Sequence, residues 1–93
     1  MHKFKEENIE VLISGKSNWQ IFESIASEIE KQFNGKIIKK IDGPDQRYWD
    51  ILIDGNIYTL HLENYLGISI YTKKENSQEI LMEIKNCAAQ LGN

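Results

Sequence analysis

The sequence predicts an α+β fold, a two-layer sandwich in the order β-α-β-β-β-β-α, with a mostly antiparallel sheet and both helices on one face. Three observations predict it. Residues 48–63 alternate apolar and polar side chains on either side of Asp54-Gly55, the pattern of a hairpin with one face buried. Two segments, about 18–34 and 77–91, each carry one apolar stripe at three- and four-residue steps, so each helix has a single face to bury. Short turns join the later strands, which makes them antiparallel neighbours.

The first strand is Ile9–Ile13, with Ile9, Val11 and Ile13 on one face. Ser14-Gly15-Lys16 breaks it. A helix follows from about Asn18 to Asn34, and Ser17 with Gln20 has the spacing of a capping box. Its stripe is Phe22, Ile25, Ala26, Ile29 and Phe33. Asn34-Gly35 ends it, glycine being the residue that best tolerates the left-handed conformation after a helix. The helix between the first two strands allows a parallel crossover for the first strand.

Lys36–Ile41 is the second strand, and Lys39 and Lys40 suit a sheet edge, where charge discourages unwanted pairing. The segment 42–46 turns the chain into the hairpin. Asp54-Gly55 favours a two-residue turn with positive φ at both positions, which pairs Ile53 with Asn56, Ile51 with Tyr58 and Trp49 with Leu60. The alternate pairs, Leu52 with Ile57, Asp50 with Thr59 and Tyr48 with His61, lie on the other face. A fifth strand, Leu66–Thr72, places Leu66, Ile68 and Ile70 on the apolar face. Asn76 with Glu79 forms an N-cap pair for a last helix from about Ser77 to Leu91, with Ile80, Ile84, Cys87 and Leu91 as its stripe, flanked by Leu81 and Ala88.

A chain of 93 residues makes a single α+β domain, residues 1–93, with the polar segment 1–8 expected to be loosely held. Its 41% hydrophobic content, two Trp, four Tyr and three Phe are those of a globular protein. No segment reads as a membrane span and residues 1–8 form no apolar signal region, so the expected setting is cytoplasmic, without a membrane partner. Cys87, the one cysteine, has no internal disulfide partner, in keeping with a reducing compartment. Eleven cations against fourteen anions give a net charge of −3, and only Arg47 is an arginine. Nucleic-acid binding needs basic charge to displace counterions, so no nucleic-acid partner is expected.

Ser14-Gly15-Lys16-Ser17 resembles the end of a phosphate-binding loop between a strand and a helix. The full motif requires a glycine where this chain has Glu10, so these residues read as a chain reversal and a helix cap. His61 with Asp50 and Glu63 is the best acid–base constellation, because a histidine near carboxylates can act as a base near neutral pH. It lacks a nucleophile, an oxyanion motif and a second histidine nearby, and alternating polar residues are the ordinary outer face of a half-buried sheet. His2, His61 and Cys87 lie on different elements, far apart for metal ligands. Cys87 falls on a helical core stripe, where thiols are inert. The expectation is therefore no enzyme, no cofactor and no metal.

Trp49 belongs to the apolar hairpin face, while Trp19 falls off the main helical stripe and either covers a core edge or is exposed for contact. Tyr48, Tyr65 and Tyr71 could stack on bases, but without a basic groove the better reading is a protein interface, where tyrosine is enriched. The candidate surface is Tyr48, Asp50, His61, Glu63, Tyr65 and Tyr71, extended by Asp42 and Asp45 in the turn.

In size, acidic balance, the plan of a sheet with two helices and the segment Tyr48–Tyr71, the chain resembles small single-domain bacterial proteins, among them the immunity proteins that neutralise toxins. The resemblance implies a non-enzymatic protein-binding module whose partner is a protein, such as a cognate toxin domain, met through an acidic and aromatic surface. A basic toxin such as a nuclease would be drawn by complementary charge. The alternatives are a ligand-binding domain or small enzyme using Asp50, His61 and Glu63, and a homodimer built through the open sheet face or an edge strand.

Overall fold

The structure is a computed structural model and describes residues 9–91, so the expectation for residues 1–8 lies outside the described residues. The elements are β1 (Ile9–Ser14), α1 (Trp19–Phe33), β2 (Lys36–Asp42), β3 (Gln46–Ile53), β4 (Asn56–Glu63), β5 (Gly67–Thr72) and α2 (Gln78–Ala89). They follow the expected β-α-β-β-β-β-α order, and the fold is the α+β sandwich that the alternation and the two stripes dictate.

The hairpin forms in the register set by its turn. Asp54 and Gly55 both have positive φ, 52° and 80°, and the six pairs from Ile53↔Asn56 to Tyr48↔His61 follow in step. Trp49, Ile51 and Ile53 on β3, Tyr58, Leu60 and Leu62 on β4, and Ile68 and Ile70 on β5 are buried on one face. Phe22, Ile25, Ala26 and Ile29 of α1 and Leu81, Ile84 and Ala88 of α2 close the same core over that face. Phe22 meets Trp49 edge-on with ring centroids 5.1 Å apart.

The sheet is antiparallel throughout, in the order β1-β5-β4-β3-β2. The parallel crossover is not made: β1 pairs with β5, and β1 and β2 are the two edges. The 15 residues of α1 extend about 22 Å, enough to cross four strand spacings of about 4.8 Å. The helix thus carries the chain from one edge of the meander to the other.

Several local expectations are corrected. Asn18, not Ser17, caps α1: its Oδ1 accepts from the Ile21 N–H at 3.0 Å. Ser17 instead donates its hydroxyl to the Glu63 carbonyl at 2.7 Å, tying the entry of α1 to the end of β4. The left-handed residue after α1 is Asn34, with φ 55°. Gly35 serves close packing, since a Cβ there would lie 2.8 Å from Ile51 Cγ2. At α2, Asn76 adopts φ 61° and Ser77 is the N-cap residue, donating to the Lys74 carbonyl at 2.7 Å. The buried stripe of α2 is Leu81, Ile84 and Ala88; Ile80 and Cys87 are its half-buried flanks, and Leu91 lies past the helix end, exposed. Leu66 also misses the core. It precedes β5 in the β4–β5 turn and is 66% exposed.

Candidate functional site: the open face of the sheet

Both helices cover one face, so among the described residues the other is built from strand side chains. Cross-strand pairing arranges these side chains in rows. One row runs Leu12, Ser69, His61, Tyr48, Ile41 from β1 to β2, and the next runs Glu10, Tyr71, Thr59, Asp50, Lys39. The first is mainly apolar and aromatic. The second begins with a carboxylate at one edge and ends with an ammonium at the other.

At the centre, His61 stacks on Tyr48 with ring centroids 4.3 Å apart and an interplanar angle of 9°, the contact expected of two flat side chains facing each other across neighbouring strands. Tyr71 stands edge-on to His61 at 6.4 Å. The Tyr48 hydroxyl donates to Gln46. Burial pushes the Tyr71 phenol above its ordinary value of 10.0; the Tyr48 phenol adds to this and a hydrogen bond with Thr59 opposes it.

The acid–base candidates share this face, Asp50 diagonal to His61 and Glu63 two positions along β4 from it. Asp50 accepts from the Thr59 hydroxyl at 2.7 Å, one row away from His61. Glu63 Oε1 lies 3.9 Å from His61 Nε2, which has no hydrogen-bond partner among the described residues. Among the described residues no three His, Cys, Asp or Glu side chains are grouped to hold a metal ion. Burial, with Glu28 beside it, holds the Cys87 thiol above its ordinary range, which keeps it protonated and a poor nucleophile at neutral pH.

The structure brings Tyr48, Asp50, His61, Glu63 and Tyr71 to the open face and separates three other candidates from them. Tyr65 sits in the β4–β5 turn, 91% exposed and outside the ring cluster. Asp45 lies exposed in the β2–β3 turn beside a hollow lined by Ile41, Pro44 and Tyr48. Asp42 is the last residue of β2 and pairs with Arg47, so its side chain belongs to the helix side. It extends the core's edge and not the candidate surface.

That edge holds a cluster the sequence hides. Arg47 is 3% exposed. Its Nε donates to Asp42 at 2.9 Å, its Nη1 donates to Glu23 at 3.2 Å, and its guanidinium lies 4.1 Å from the Trp19 ring centroid and 4.6 Å from that of Trp49. Trp49 Nε1 donates to the same Asp42 oxygen at 2.8 Å. Trp19 therefore covers a core edge with one side of its ring while staying 44% exposed, and the only arginine is structural.

Sequence reasoning placed Ser69 beside the polar face and missed Glu10, Leu12, Lys39 and Ile41 as members of it. The available signal was Leu12, which falls off the Ile9, Val11, Ile13 face of its strand. Glu10, Leu12, His61, Glu63 and Leu66 line a cleft of about 440 Å³ at the β1 end of this face. Ser69 donates to Glu10 there at 2.9 Å.

A family model described as "Protein of unknown function (DUF3630)" matches residues 1–87, and the chain belongs to that family. Among curated proteins and solved structures, nothing matches the chain.

Proposed function

We propose that this member of a family of unknown function is a non-enzymatic protein-binding module that works in the cytoplasm through the open face of its sheet. One observation carries the reading. The apolar and aromatic row Leu12, Ser69, His61, Tyr48, Ile41 lies on a face that no described element of the chain covers, with Leu12 54% and Ile41 48% exposed. Aromatic side chains flanked by exposed aliphatic ones and rimmed by charge are the composition of a contact surface. The engagement of Asp50 by the Thr59 hydroxyl, one row from His61, supports the same reading. No helix among the described residues is long and apolar enough to cross a membrane.

A second reading within this class is neutralisation of a basic toxin domain. Glu10 and Glu63 on the cleft at the β1 end favour it, because two carboxylates beside Leu12 and Leu66 suit a cationic side chain with an apolar stem.

The test compares affinity capture by the native protein and by a Tyr48→Lys, Leu12→Lys double variant of unchanged circular dichroism. The reading expects a specific protein, whether a second copy or another chain, to be retained by the native form and lost by the variant. Identical retention by both would overturn it.

A further inference from the structure

The open face carries a second pattern besides its apolar row: the row Glu10, Tyr71, Thr59, Asp50, Lys39 ends in a carboxylate at the β1 edge and in an ammonium at the β2 edge, where Asp50 is the cross-strand neighbour of Lys39. Glu10 lies on edge strand β1 and Lys39 on edge strand β2, in the same cross-strand row, with β4 as the middle strand between them. In one chain these two residues are four strand spacings apart, about 19 Å, too far to pair with each other. Such a surface is complementary to itself once it is turned over.

We propose that the open face pairs with the open face of a second copy, about a two-fold axis that runs along β4. Rotation about that axis exchanges the β1 and β2 edges and keeps each row on itself. Glu10 of one copy then faces Lys39 of the other, twice in the dimer. Leu12 faces Ile41, and the Tyr48–His61 stacks meet near the axis. This is the isologous contact of a two-fold dimer and the aligned packing of a β-sandwich, in which each copy covers the face that no described element of the other covers. Glu63, at the end of β4, meets its own copy at the rim, where solvent screens the repulsion.

The contact is of workable size. Five strands of six to eight residues span about 500 Å² of face per copy and about 1,000 Å² in total, the lower bound for a specific interface. The dimer is accordingly a weak one, populated at micromolar to millimolar protein. This inference rests on the open face being a protein-binding surface and names the partner as the chain itself.

Charge exchange tests it by sedimentation velocity. The native protein is expected to dimerise with rising concentration. Glu10→Lys and Lys39→Glu should each weaken the dimer by about tenfold or more, because each places like charges face to face. An equimolar mixture of the two single variants should recover the native affinity. In the mixed dimer the new lysine of one variant meets the new glutamate of the other, and the second contact is the native Glu10–Lys39 pair. No intramolecular effect can produce that recovery across the width of one sheet. A native protein that stays monomeric, or a mixture no tighter than the separate variants, overturns the dimer. The wider reading survives that outcome if capture still retains another protein in a Tyr48-dependent way, and falls with it if capture retains none.

Discussion

At Arg47 a single side chain joins the helix layer to the sheet. The guanidinium is buried among Trp19, Phe22 and Trp49, while its carboxylate partners Asp42 and Glu23 keep 40% and 55% of their side-chain exposure. The cost of burying the cation is offset by two charge-assisted hydrogen bonds and three ring faces. The hydrogen bond from Arg47 holds the Asp42 carboxyl below its ordinary 3.8, and the Trp49 N–H adds to this. A carboxylate whose folded pKa is depressed stabilises the fold fully above its unfolded pKa, and that contribution is lost as pH falls through the folded value. Denaturant melts followed by tryptophan fluorescence should therefore find Asp42→Asn less stable than the native protein at pH 6, by about 1–2 kcal/mol. The gap should narrow steadily below about pH 4. A gap independent of pH would show that the ionised Asp42 does not carry the contact. None of this was legible in the sequence. A lone arginine beside a turn reads as a surface cation, and only the pairing of Asp42 with Arg47 on the helix side reveals its burial.

At the level of elements, what could be read depended on how local the determinants are. The β3–β4 hairpin is specified within 16 residues by its turn and its alternation, and all six expected pairs are present. The place of β1 is specified by contacts far away in sequence. One is the join where β5 begins. Gly67 has φ 97°, and a Cβ there would lie 2.2 Å from the Ser14 carbonyl oxygen and 2.9 Å from Gly15 Cα. Backbone is meeting backbone, and neither side can yield as a flexible side chain would. Gly67→Ala is expected to cost about 2–4 kcal/mol by adding left-handed strain to a steric clash. Gly15→Ala, where a Cβ meets nothing within 4 Å, is expected to stay within about 0.5 kcal/mol of the native protein. Urea denaturation checks both; equal costs would contradict the assigned contact. The cap of α1 shows the same limit on a smaller scale. Ser17 and Asn18 are both good capping residues, and the choice falls to Asn18 because Ser17 is drawn away by the Glu63 carbonyl, 46 positions along the chain.

For the whole molecule, the decisive fact is that two helices cover one face of a five-stranded sheet and that no described residue outside the strands covers the other. The sequence already contained the polar half of that face, because Tyr48, Asp50, His61 and Glu63 alternate with core residues. It did not disclose the outer members of the first row, Leu12 and Ile41, which come from strands placed at the edges by the crossing of α1. Nor did it disclose the opposed charges of Glu10 and Lys39, which turn an expected acidic surface into a two-signed one. Whether that face meets a protein can be read by replacing Tyr48 with a photo-cross-linking phenylalanine derivative and irradiating cells that contain the protein. Exposed Glu30 on the outer side of α1 provides the control position. Discrete protein adducts are expected from position 48, with copies of the chain itself among them, and none of comparable yield from position 30. Equal, diffuse labelling from both positions would contradict a binding role for the open face.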